Sequence, residues 1–157
     1  LNFEKICSQF MSFEPEYSET YIYEPSGKQG DDGIDLVLFL KNNGNDNTIK
    51  FDLVQCKNWE NPVGIKDVQR TSALLNEYVG IRKAIVMSMG GFTESSKNTL
   101  ERVEEINPGR LELWNRQDIK KMITKHSLNI DLHKPINKIN VYLPTYLQIK
   151  RGKDRIQ

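Results

Sequence analysis

Long apolar runs are missing from this 157-residue chain: its greasiest stretch, IDLVLFL, has only seven residues, against the roughly 20 that a helix needs to cross a bilayer. That excludes a membrane-spanning helix. Cysteine is scarce, with Cys7 and Cys56 alone, too few for a disulfide framework. No secretory signal pattern precedes them, so a reducing interior, the cytoplasm, is the expected compartment. Histidine is equally scarce. His126 and His133 have no cysteine pair at zinc spacing beside them, which argues against a structural zinc site, and the serines lack an evident base for a hydrolase triad. No GxGxxG occurs. SGKQG, with Gly27 and Lys28, lacks both the earlier glycine and the following Ser or Thr of a P-loop, so nucleotide binding by such a loop is not expected.

What is present fits one globular α/β domain. The hydrophobic fraction is 38% and the charged fraction 27%, with mean hydropathy −0.58, outside the disordered and fibrous classes. Net charge is +1, yet residues 1–60 hold 5 Lys and Arg against 11 Asp and Glu, and residues 61–157 hold 17 against 10. An acidic half beside a basic half suits an enzyme that holds a cation and a nucleic acid together. Solvated faces explain the same numbers without any ligand. The chain begins at Leu1 and ends on the polar, basic IKRGKDRIQ, from which we expect it to work within a larger protein.

Phe3, Ile6, Cys7, Phe10 and Met11 recur at helical spacing, predicting an amphipathic first helix. A strand is expected around Tyr21–Tyr23, then the turn-rich PSGKQGDDG, then a hairpin of IDLVLFL and IKFDLVQCK across an Asn-rich loop. The spacing predicts a helix over 65–79. KAIVMSM reads as a buried, mid-sheet strand, followed by a helix capped by Thr93 and stopped at Asn107, Pro108 and Gly109. LELW is a further strand and Gln117–Lys125 a further helix. From His133 the periodicity dissolves, so 1–132 is expected to be the folded domain and 133–157 a basic extension or linker.

GDDGID, Gly30 to Asp35, and QCK, Gln55 to Lys57, carry the clearest chemistry. In an antiparallel hairpin the start of one strand lies opposite the end of the other, which brings Asp35 to Gln55 and Lys57. Gln55 and Lys57 point to one face and Cys56 to the other. A carboxylate, an amide oxygen and an ammonium at one sheet end can hold Mg²⁺ and cut a phosphodiester. A turn-forming loop beside a solvated lysine fits the same residues. Trp59 could stack on a base or serve as a half-buried anchor, and Gln69 could support the site from the next helix. Lys28, Lys66, Arg70, Lys97 and Arg102 are candidates for tracking a phosphate backbone, with solvated helix faces as the alternative.

The string GDDGID, then QCK, then a helix and KAIVMSMGGFTESS, with FEK at the start, resembles the Mrr-like, type IV restriction endonuclease branch of the PD-(D/E)XK nucleases. The resemblance covers roughly Phe3 to Met122. It implies a restriction-endonuclease-like αβββαβ core with a mixed central sheet flanked by helices, and a metal-dependent endonuclease that cleaves DNA as part of prokaryotic restriction or anti-phage defence. It implies Mg²⁺ or Mn²⁺ as cofactor, with Asp35 as metal-binding aspartate, Lys57 as catalytic lysine and Glu4 as the first-helix glutamate. Gln55 and the main-chain carbonyl of Cys56 would complete the ligands. Gln55 stands where the wider superfamily usually has an acid, a variant of this branch that removes one negative charge; Glu4 or Asp31 could restore it. A structure-selective or RNA-directed nuclease of the same superfamily stays open, as does a catalytically silent nucleic-acid-binding module. Cutting both strands of a duplex implies two copies of the chain or a multidomain partner.

Overall fold

The computed structural model describes residues 2–25, 33–41 and 48–156. Six strands form one mixed sheet in the order β5-β4-β3-β2-β1-β6. The chain runs α1 (Asn2–Ser12), β1 (Tyr17–Tyr23), β2 (Leu36–Leu40), β3 (Phe51–Lys57), α2 (Ile65–Ala73), β4 (Ile81–Ser88), α3 (Glu94–Ile106), β5 (Leu111–Trp114), α4 (Arg116–Lys125), β6 (Lys138–Ile139) and α5 (Leu143–Ile156). The nine expected elements occur in the expected order. β2 pairs antiparallel with β1 and β3, whereas β4 runs parallel to both β3 and β5. No helix among the described residues is long and apolar enough to cross a membrane.

Strand alternation divides the apolar residues between two cores. Val37, Phe39, Phe51, Leu53, Ala84 and Val86 pack on one face with Val68 of α2 and with Leu143 and Leu147 of α5. On the other face Leu36, Leu38, Val54, Ile85 and Met87 meet Cys7, Phe10 and Met11 of α1 and Ile119 of α4. KAIVMSM is therefore a central strand covered on both sides. Its successor α3 starts where Thr93 accepts a hydrogen bond from Ser96 N (3.2 Å). A reciprocal box between Asn115 and Asp118 opens α4, satisfying N–H groups that would otherwise face the first turn unpaired.

Two expectations are corrected. The helix predicted over 65–79 ends at Ala73 and tightens into a 3-10 turn, Leu74–Asn76, which buries both Leu74 and Leu75. The segment from His133, expected to lack regular structure, adds β6 parallel to β1 and then α5. Two residues of β6 are too few for any periodicity to register. Helix α5 is seated by Leu143 N donating to the Tyr23 hydroxyl (2.9 Å) and by the burial of Leu143 and Leu147.

At the β3 end far from Lys57 lies a charge network built on a buried carboxylate. Asp52, fully buried, accepts from Arg82 Nε (3.0 Å) and Nη2 (2.5 Å), from the Tyr17 hydroxyl (2.6 Å) and from Lys83 N (3.2 Å). Every carboxylate oxygen there is met by donors, the condition under which a buried charge is tolerated.

Candidate active site

Asp35 sits one residue before β2 and is clasped to the end of β3 at two points. Its main-chain N donates to Val54 O (2.8 Å), and its Oδ2 accepts from Cys56 N (2.7 Å). The carboxylate is thus held beside Gln55 by backbone geometry, and a charge-assisted bond of this length is a strong one. Gly33 makes the approach feasible. It has φ +78°, and a Cβ there would come within 2.7 Å of Gln55 Nε2 and 3.5 Å of Arg70 Cδ, so this turn requires glycine for its backbone and for its closeness to the amide.

Gln55 and Lys57 both face α2. Gln55 is almost completely buried and its Oε1 accepts from Thr71 Oγ1 (2.9 Å). The Lys57 ammonium lies 4.0 Å from Asp67 Oδ1 and 4.3 Å above the Trp59 ring centroid, an arrangement in which the ring quadrupole attracts the cation. Trp59, about half exposed, is the half-buried residue of the second reading, and it is the surface on which Lys57 rests. Cys56 faces α1. A hydrogen bond with Cys7, then burial, then the nearby charges of Asp35 and Glu4 push its thiol well above the ordinary range. Glu4 thus lies within electrostatic reach of Cys56, from the α1 side of the sheet.

Both thiols are free and buried. In native protein at pH 8, where an unperturbed thiol is partly ionised, neither should react promptly with Ellman's reagent, and both should react after unfolding. Rapid native modification of either thiol would contradict this packing.

Among the described residues no three of His, Cys, Asp and Glu form a metal-holding group. The candidate set is instead an oxygen set: the Asp35 carboxylate, the Gln55 amide and the Cys56 carbonyl, with Glu4 nearby. Its hardness suits Mg²⁺ or Mn²⁺.

The remaining candidates divide. Lys66 and Arg70 are exposed on α2, with Arg70 lying over Gly33. Lys97 pairs with Glu94 (3.4 Å), and Arg102 is exposed on α3, which carries four carboxylates against two cations. Lys28 and Asp31 lie outside the described residues. Gln69 is exposed, and the supporting contact comes from Thr71 and Asp67, which the sequence reading missed. Arg116 was missed as well. Its Nε donates to Met89 O (3.1 Å), and Met89 N donates to Lys57 O (3.1 Å), which ties a cation at the head of α4 to the strand end that carries Lys57. That helix has four cations and one acid.

A mixed sheet flanked by helices, carrying an acid, an amide and a lysine where its second and third strands meet, is a restriction-endonuclease-like α/β fold. The family model described as restriction endonuclease, the Mrr catalytic domain, matches residues 1–123. The chain belongs to that family and is an Mrr-like PD-(D/E)XK nuclease. No curated protein and no solved structure matches it.

Proposed function

We propose that residues 1–132, with 133–157 as an extension, form the endonuclease part of a prokaryotic restriction or anti-phage defence protein that works in the cytoplasm. Its substrate is double-stranded DNA and its cofactor Mg²⁺ or Mn²⁺. The observation that supports this reading is the Asp35 Oδ2 bond to Cys56 N (2.7 Å), which holds a carboxylate on the main chain between Gln55 and Lys57. Asp35, the Gln55 side-chain oxygen and the Cys56 carbonyl would hold the ion, with Glu4 reaching in through water. When bound, the ion supplies an acidified water and neutralises phosphate charge.

Lys57 has a separate task. Its ammonium, steadied by Trp59 and Asp67, donates to a phosphate oxygen or to the attacking water, where charge builds up in the transition state. Cutting both strands with one site per chain calls for two copies, as a homo-oligomer or within a larger assembly.

The test is incubation of the purified protein with plasmid DNA and with structured RNA, each in Mg²⁺, Mn²⁺ or EDTA. DNA nicking that EDTA abolishes is the expected result. Cutting of RNA alone would move the substrate, and metal-independent binding without cutting of either would reduce the protein to a binding module.

Lys28, Lys66, Arg70, Lys97 and Arg102 are proposed to contact the phosphate backbone, joined by Arg116. Affinity for duplex DNA should fall with salt at about 0.9 log units per log unit of salt for each contact. Arg70→Ala and Arg116→Ala should each reduce that slope by about 1. Lys97→Ala should change it less, because Glu94 already holds its ammonium. Slopes equal to wild type for both arginine variants would remove them from the surface.

A further inference from the structure

The most specific contact left unexplained is the one between α2 and the site strand. Asp67 and Thr71 are one turn apart on α2, a separation of about 6 Å along its axis. Gln55 and Lys57 are two residues apart on β3, about 6.6 Å. The two spacings match, so the helix meets the strand in two rungs: Thr71 on Gln55 (2.9 Å) and Asp67 near Lys57 (4.0 Å). The first rung is dry, with Thr71 and Gln55 each about 1% exposed.

An amide in place of an acid introduces a problem that a carboxylate does not have. Both carboxylate oxygens accept, whereas one end of an amide accepts and the other donates. With the wrong end turned in, N–H groups would face a cation. We infer that Thr71 is a positioning residue that fixes which end of the Gln55 amide serves as acceptor, and that this contact lets a glutamine act in the metal site. The inference rests on the metal-dependent nuclease reading above.

Two further observations fit. The single Thr71 hydroxyl proton is shared between Gln55 Oε1 (2.9 Å) and Asp67 O (3.0 Å), and both partners are carbonyl oxygens, so the hydroxyl meets the amide as a donor. On the other side Gln55 Nε2 faces Gly33, where an added Cβ would approach to 2.7 Å. The two ends of the amide have nearly the same shape, so it is the Thr71 hydroxyl and not the glycine that tells them apart. Partners of this kind, one step removed from a metal, typically cost 10–100-fold in metal affinity when lost.

The experiment is calorimetric titration of Mn²⁺ into wild type, Thr71→Val, Thr71→Ser and the Gln55→Glu background with and without Thr71→Val. Thermal unfolding in EDTA serves as the folding check, and Thr71→Ala replaces Thr71→Val should the latter unfold. Thr71→Val should weaken Mn²⁺ binding about tenfold or more. Thr71→Ser, which keeps the hydroxyl, should stay within about threefold, and the Thr71→Val loss should largely vanish in the Gln55→Glu background, where both ends accept. A folded Thr71→Val protein that binds Mn²⁺ like wild type overturns the inference. So does an equal loss in both backgrounds, which would mark Thr71 as packing alone. Wild-type protein that binds no Mn²⁺ removes the metal-site reading and this inference with it, a result distinct from the other two.

Discussion

Plasmid cleavage by the Lys57→Ala protein in Mg²⁺ should fall by about 10²–10⁴ relative to wild type, the range for losing a proton-transfer or charge-stabilising group in the transition state. DNA affinity measured in EDTA should stay within a few-fold, because Lys57 is one cation among several and its ammonium is already engaged by Asp67 and Trp59. A loss that falls on turnover and spares binding marks an interaction made chiefly in the transition state. Asp35→Asn should show a similar loss for a different reason. It keeps an oxygen to accept from Cys56 N, so the turn survives, but removes the charge that holds the cation. Asp35→Ala would in addition leave a buried N–H unpaired, at a cost of about 1–3 kcal/mol. The isosteric variant therefore separates chemistry from folding. Wild-type cutting by either Lys57→Ala or Asp35→Asn would contradict the site.

The second large effect is on stability, at the opposite end of the same strand. Arg82→Leu should destabilise the protein by about 1–3 kcal/mol, because it strands a fully buried carboxylate although the guanidinium itself is over a third exposed to solvent. For a domain of this size that is a drop in Tm of about 2–12 °C. Asp52 would keep the Tyr17 hydroxyl and Lys83 N but lose both guanidinium contacts. Replacing Asp52 and Arg82 together by leucine should cost less than Arg82→Leu alone, since no charge is then left stranded. Asp52 and Lys57 are five residues apart on β3, about 17 Å, so cleavage per folded molecule should be unchanged. Unfolding followed by circular dichroism measures the first effect. An Arg82→Leu protein as stable as wild type would show that the buried carboxylate does not depend on its guanidinium.

The two ends of β3 also explain what the sequence could and could not reveal. The meeting of Asp35 with the strand end that carries Gln55 and Lys57 was legible because strand alternation and hairpin pairing are local rules, and both held. The buried β4 was legible from its unbroken apolar run. Thr71 and Asp67 were not, because a threonine and an aspartate on an amphipathic helix read as ordinary polar positions until the helix is laid against the strand. Arg116 was hidden in the same way: its place beside Lys57 comes from β4 and β5 running parallel, so that α4 begins at the site end of the sheet. The C-terminal elements were missed because two residues of β6 carry no period and α5 buries only Leu143 and Leu147 among its described residues. Their order comes from what they dock on, β1 and the Tyr23 hydroxyl.

The central claim is that the meeting point of β2 and β3 is a divalent-metal site built on oxygen. A crystal structure of the wild-type protein grown in Mn²⁺, with anomalous data collected for manganese, tests it most directly. The account predicts an anomalous peak within about 2.0–2.4 Å of an Asp35 carboxylate oxygen and of the Cys56 carbonyl, with the Gln55 side-chain oxygen turned toward the ion. Manganese bound elsewhere, or no peak at Asp35 in a protein that cuts DNA under the same conditions, would contradict it.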